Sequence, residues 1–249
     1  MKSMSEYLNL LKEAIQNVVD GGWHETKRKG NTGIGKTFED LLEKEEDNLD
    51  APDFHDIEIK THETAAKSLL TLFTKSPTNP RGANTMLRNR YGKKDEYGNN
   101  ILHQTVSGNR KTNSNSYNYD FKIDIDWESQ VVRLEVFDKQ DIMIDNSVYW
   151  SFDSLQNQLD KKLKYIAVIS AESKIENEKK YYKYNSANLF TDLTVQSLCR
   201  GIENGDIKVD IRIGAYHSGK KKGKTHDHGT AFRINMEKLL EYGEVKVIV

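Results

Sequence analysis

Apolar residues recur at Leu8, Leu11, Ile15 and Val18–Val19, close to the 3.6-residue period of a helix, and Gly21-Gly22 follows as its stop. Further on, Thr37 is placed to cap a second helix, with Asp40 as the acidic partner of a capping box. At Asp56-Ile57-Glu58-Ile59-Lys60 the period changes to two, as in a half-buried strand. Two more runs, Tyr119–Asp126 and Val131–Phe137, flank the turn Trp127–Gln130 and read as a hairpin. The pattern then predicts a helix over Ser154–Lys164, a strand over Tyr165–Ser170 and an amphipathic helix over Asn185–Glu203 ending at Asn204-Gly205. Strands at Ile207–Ile213 and Gly229–Ile234, a short helix at Met236–Tyr242 and a strand at Val245–Val249 complete the order. This is a mixed α/β chain with helices against a central sheet.

The 249 residues suffice for one large domain or one domain in two lobes, and no Pro- or Gly-rich stretch marks a linker. We therefore expect two lobes, divided near residue 205 into 1–205 and 206–249. The mean hydropathy of −0.76 and the lack of any apolar run near ~18–20 residues argue against a membrane span. Glu6 and Glu13 interrupt the first helix, which lacks the apolar core of a secretory signal. Cys199 is the single cysteine, so neither an internal disulfide nor a cysteine zinc cluster is possible. A cytoplasmic protein is the expectation.

Charge changes the picture. Lys and Arg number 37 against 38 Asp and Glu, yet they are segregated. Eleven acids fall between Phe38 and Thr64 against Lys44 and Lys60, whereas eight bases fall between Lys75 and Thr112 against Asp95 and Glu96. A second basic stretch holds Lys220, Lys221, Lys222, Lys224 and Arg233 against Asp227. Acidic clusters hold divalent metals and basic arms neutralise phosphates. The basic stretches also contain Gly, Asn and Ser, which suggests mobile loops closing on a polyanion, with Arg88, Arg90, Lys221 and Lys222 as phosphate contacts.

Gly30 to Thr37 satisfies the P-loop pattern, but that motif needs an apolar strand before it, and His24 to Lys29 are polar and basic. A glycine-rich loop leading into a helix fits better. The informative segment is Pro52 to Lys60. Glu58 and Lys60 share one face ~6–7 Å apart along a strand, and Asp53 precedes it in a proline-led turn whose carboxylate can converge on that of Glu58. Two such carboxylates suit Mg²⁺, and a lysine beside the metal water can position it and counter charge on a phosphate. Glu39, on the preceding helix, offers a further carboxylate. Asp56 shares the face of Glu58 and is the alternative to Asp53; a turn residue bends toward a shared metal more readily, which favours Asp53. A same-face ion pair of purely structural value is the competing account of Glu58 and Lys60.

A second group runs from Gly223 to Arg233. Arg233, and Arg212 on the strand before, can each donate two hydrogen bonds to a guanine edge, and Asp227 can accept from a cytosine amino group. His226 and His228 sit between Gly223 and Gly229, where a loop can enter a groove. Zinc binding by His217, His226 and His228 is disfavoured by the lysine-rich setting and the lack of a partner cysteine.

Pro52-Asp53 with Glu58-Ile59-Lys60 matches the PD-(D/E)xK nuclease signature, and the chain as a whole resembles the MvaI/BcnI family of restriction endonucleases. The resemblance implies a fold related to MutH, with a catalytic and a recognition lobe around a DNA cleft. It implies a monomeric type II enzyme, a site-specific deoxyribonuclease cutting double-stranded DNA at CC(A/T)GG with Mg²⁺ as cofactor. It implies Glu39, Asp53, Glu58 and Lys60 as the active-site set, and a companion DNA methyltransferase that shares the system without binding the enzyme. A MutH-like nicking enzyme and a non-catalytic DNA-binding protein are the alternatives.

Overall fold

The computed structural model describes residues 3–28, 30, 32–42, 56–64 and 69–249. In chain order the elements are α1 (Met4–Asp20), β1 (Trp23–Glu25), α2 (Gly33–Leu41), β2 (Ile57–Glu63), β3 (Leu70–Thr74), α3 (Ala83–Tyr91), β4 (Lys93–Lys94) and β5 (Asn100–Val106). Then follow β6 (Asp120–Asp126), β7 (Val131–Phe137), β8 (Met143–Ser151), α4 (Phe152–Lys162), β9 (Tyr165–Glu176), β10 (Lys179–Thr191) and α5 (Val195–Asn204). The chain closes with β11 (Ile207–Ala215), a 3-10 turn (Gly219–Lys221), β12 (Thr225–Asp227), β13 (Ala231–Ile234), α6 (Met236–Leu239) and β14 (Glu244–Val247). No helix among the described residues is long and apolar enough to cross a membrane.

The chain forms two compact units. Unit 1 comprises Met1–Leu70, Asp160–Leu193 and Gly243–Val249; unit 2 comprises Thr71–Leu159 and Thr194–Tyr242. Residues on either side of 205 belong to the same unit, so compactness divides the chain elsewhere than at the expected boundary. The mixed α/β class holds, but among the described residues three sheets of five, six and three strands replace the single central sheet.

In unit 1 the strand order is β1-β10-β9-β2, with β14 added to β10, and β2 runs parallel to β9. The stripe Leu11, Ile15 and Val18 of α1 and the pair Ile34 and Phe38 of α2 pack on one face of this sheet against Ile57, Ile59, Ala167, Ile169 and Tyr184. Ser3 and Glu6 cap α1 reciprocally. α2 is fastened by the Tyr184 hydroxyl, which donates to the Ile34 carbonyl at 2.7 Å, while the Phe38 ring lies 4.9 Å from that of Tyr184. Thr37 is not a cap: α2 begins at Gly33, and Thr37 is buried inside it. A β-carbon on Gly33 would come within 2.7 Å of the Arg28 carbonyl oxygen, so the helix can start there only with glycine.

The helix expected over Asn185–Glu203 is half wrong. β10 continues to Thr191, and only Val195–Asn204 is helical, capped by Thr194 and stopped by Gly205 at φ 77°. Leu189 and Phe190 are both buried although they point to opposite faces. A strand covered on both faces gives a continuous apolar run that periodicity cannot tell from a helix.

Unit 2 holds the sheet β3-β13-β11-β5-β4, with β12 paired to β11, and the meander β6-β7-β8. The β6–β7 hairpin forms where expected, with β7 at its expected bounds and β6 beginning one residue later, at Asp120. Fully buried Trp150 of β8 meets Phe232 of β13 edge-to-face at 5.9 Å, and its indole N–H donates to the Lys75 carbonyl at 2.8 Å. The stretch from Lys75 to Thr112, expected as loop, carries α3, β4 and β5.

Two substitutions test the fastening of α2. Phe38→Ala should cost about 3–5 kcal/mol of unfolding free energy through the cavity it leaves. Tyr184→Phe should cost about 0.5–1.5 kcal/mol through one lost hydrogen bond. Urea denaturation of both variants measures the difference.

Candidate functional site

Ile57 and Ile59 belong to the core under α1 and α2, so strand alternation sends Glu58 and Lys60 to the opposite face of β2. The register with β9 fixes this, pairing Glu58 with Ile166 and Lys60 with Val168, both of which are buried. Glu58 is only 5% exposed, and the Lys60 ammonium donates to its Oε1 at 2.5 Å. A buried carboxylate is costly unless a charge-assisted partner is held against it, and Lys60 is that partner here. The lysine keeps 23% of its side chain open, so the pair is buried on the carboxylate side and accessible on the ammonium side.

The structure therefore brings Glu58 and Lys60 together. Glu39 lies on α2, on the apolar side of the strand, where its charge is felt by the buried Tyr184 hydroxyl. Asp53 lies outside the described residues. Asp56 is exposed, immediately before β2. The P-loop pattern resolves as the opening of α2: Gly33 and Gly35 are helical, and Lys36 pairs with Asp40 at 3.1 Å. That arrangement is no phosphate cradle.

The second group is built by the β11–β12 hairpin in unit 2, where Gly214 pairs with His226 and Ile213 with Asp227. The exposed residues Lys220, Lys221 and Lys222 lie in its tip. The rings of His226 and His228 are 4.1 Å apart, Tyr216 stacks on His226 at 4.4 Å, and His103 of β5 stands 6.4 Å from His228. Together with His217 and Asp95 they line a cavity of about 330 Å³. His103 and Tyr216 were not legible as members of this group; the only signal is structural, the pairing of His103 with Arg212 across β5 and β11. Among the described residues no three His, Cys, Asp or Glu side chains are grouped to hold a metal ion.

Several expected DNA contacts are occupied within the protein. Arg88 is 7% exposed and donates to the carbonyls of Gly214 and Gly223 at 3.2–3.4 Å, bracing the hairpin from α3. A side chain so enclosed is not displayed for a phosphate. Arg90 is: its side chain is 63% exposed, with Asp145 at 4.0 Å. Arg212 donates to the His228 and Gly229 carbonyls at 3.2 Å, holding the loop after β12. Arg233 pairs with Asp210 at 3.0 Å. Asp227 accepts from Asn84, Ser76 and the Gly229 amide.

Desolvation presses the pKa of His228 below its ordinary 6.5, with the nearby His226, His103 and Arg212 acting the same way and Asp227 opposing them. The imidazole is therefore neutral at pH 7 and takes up its proton later than an unfolded histidine would. As pH falls through 6.5 the unfolded chain binds that proton first, so this group withdraws stability on the acid side. NMR titration should place His228 below 6.5, and His226→Ala should move it back toward that value. Arg88→Ala should cost about 1–3 kcal/mol by leaving buried carbonyls unpaired. Arg90→Ala should leave stability nearly unchanged, and thermal unfolding separates the two.

A model of the MvaI/BcnI restriction endonuclease family matches residues 12–241. Among solved structures, one described as "Restriction endonuclease MvaI in the absence of DNA" is 99% identical over 100% of both chains, with a TM-score of 0.70. A search of curated proteins gives no match. The family match takes in both the strand that carries Glu58 and Lys60 and the hairpin that carries the histidines, and the chain belongs to the MvaI/BcnI restriction endonuclease family.

Proposed function

We propose that this restriction endonuclease is a type II enzyme that hydrolyses both strands of duplex DNA with Mg²⁺, by a PD-(D/E)xK site on a MutH-like core. The observation that carries the chemistry is the buried Glu58 carboxylate with the Lys60 ammonium 2.5 Å from its oxygen. On this reading unit 1 cuts and unit 2 reads. Asp53 and Glu58 would hold Mg²⁺, and their hard oxygens, one of them in a desolvated position, fit that ion. When bound, the ion supplies Lewis acidity at the phosphate and a more acidic water. Lys60 orients the attacking water with its free N–H groups and offsets the charge that grows on the phosphate oxygens. Glu58 fixes the lysine for that task, and Glu39 adds negative charge from the helix behind.

The target CC(A/T)GG, action as a monomer, a companion methyltransferase and a cytoplasmic setting belong to the same proposal, drawn from the resemblance of the sequence to the family. Sequence readout falls to Arg212, Arg233, His226, Asp227 and His228, with Arg90, Lys221 and Lys222 on phosphates. In this reading Arg233 exchanges Asp210 for guanine O6 and N7.

Lys60→Ala and Asp53→Ala should each abolish plasmid cleavage while keeping specific DNA binding, and Asp56→Ala should be much milder. Wild-type cutting should need Mg²⁺, with Ca²⁺ supporting binding and little turnover. Cleavage by Lys60→Ala at the wild-type rate would overturn the assigned chemistry. Arg233→Ala should lose ~1–3 kcal/mol of discrimination at one base pair, read from a library varied at each target position. Uniform slowing at every position would make the loop a phosphate clamp instead.

A further inference from the structure

On β11, Val209 and Ile211 face the core, fully buried, so Lys208, Asp210 and Arg212 alternate along the other face. Across the neighbouring strands this face continues with Arg233 opposite Lys208, Thr105 opposite Asp210 and His103 opposite Arg212. One end of the stripe is the histidine group. At the other end lies a second cavity of about 450 Å³, bounded by Lys208, Arg110, Gln104, Thr112, Asn113 and Ser114 among others.

The charges in and around this cavity are unevenly answered. Lys111, also on its wall, is paired with Asp141. Asp210 is taken by Arg233 at 3.0 Å and by the Thr105 hydroxyl at 2.8 Å. Asp206, the acid that bears on Lys208, accepts the Tyr242 hydroxyl at 2.6 Å. Among the described residues, the side chains of Lys208 and Arg110 have neither an ion pair nor a hydrogen bond, and Arg110 bears on Lys208 as a like charge. Desolvation and that like charge lower the pKa of Lys208. Two cations sharing a wall with hydroxyl and amide groups suit an apolar ligand poorly, since apolar pockets are lined mainly by hydrophobic and aromatic side chains. They are a good wall for an oxyanion, which would relieve the repulsion and accept from every donor present.

The geometry points to a seat for a backbone phosphate of bound DNA at Lys208 and Arg110, separate from the base-reading group. Lys208 stands ~13 Å along β11 from Arg212, about four duplex steps at 3.4 Å each. The seat therefore fixes the register of the duplex on the sheet while the histidine end reads bases. This inference rests on the DNA-binding reading above.

The test is the salt dependence of duplex binding by wild type, Lys208→Gln, Lys208→Arg and the double variant Lys208→Gln/Arg110→Gln, without divalent metal. Arg110 is exposed and Lys208 half-buried, and unchanged thermal unfolding controls for folding. The double variant should lower the slope of log affinity against log salt by about 0.9, the value of one phosphate. The loss should be equal on a CC(A/T)GG duplex and an unrelated one, and Lys208→Arg should restore most of the slope. In a second arm, inorganic phosphate replaces the duplex, monitored by the Lys208 side-chain NMR signal. Weak, chloride-like binding supports a seat built for phosphate within a polymer. Sub-millimolar phosphate binding with an unchanged duplex slope would overturn the assignment in favour of a free-phosphate site. Wild-type binding with the same slope in the double variant overturns the seat alone, whereas a wild type that binds no duplex overturns the reading beneath it.

Discussion

Everything in unit 1 depends on the register in which β2 lies against β9. A shift by one residue would turn Ile57 and Ile59 away from α1 and α2 and press Glu58 into the apolar layer, at the cost of a buried, unpaired carboxylate. The apolar face thus specifies the polar one. Because a helix pair grips one side of the strand, the other side can afford an acid and a lysine whose contact is set by backbone geometry instead of by flexible loops. The fastening of α2 by Tyr184 belongs to the same device, since it keeps Ile34 and Phe38 over the strand.

Much of this was legible in the residues. The helix of Leu11, Ile15 and Val18, the alternation of β2 and the β6–β7 hairpin all obey simple periods, and the structure contains them. The Glu58–Lys60 contact followed from strand alternation alone. What failed did so for physical reasons. β10 was hidden because Leu189 and Phe190 are both covered. Thr37 looked like a cap because capping residues are identified by type, whereas Gly33 is required by a carbonyl that only the fold brings near. The sequence also offered no way to see that Arg88 turns inward, since a basic residue near a glycine-rich stretch reads the same whether it meets carbonyls or phosphates.

Unit 2 shows how little a count of basic residues says about the surface offered to a polyanion. Arg88, Arg212 and Arg233 all have partners inside the protein, and Asp227 is held by three donors. Such bonds hold side chains in place before any ligand arrives, and a group held in its bound position loses less entropy on binding. Asp210 holds the Arg233 guanidinium at 3.0 Å, so that arginine is already committed to an acceptor inside the protein.

The placement of β9, β10 and β14 bears on how the molecule comes into being. Unit 1 starts with the first helix and is finished by the last strand, with residues 71–159 and 194–242 belonging to its neighbour. On a ribosome the nascent α1, α2 and β2 therefore wait, their apolar faces uncovered, until β9 emerges to form the parallel pair. Such long-range pairing is slow and exposes sticky surface meanwhile. An endonuclease assembled in this order stays incomplete until nearly the whole polypeptide has been made, and proteolytic fragments ending anywhere before β14 lack a strand of the sheet that carries Glu58 and Lys60.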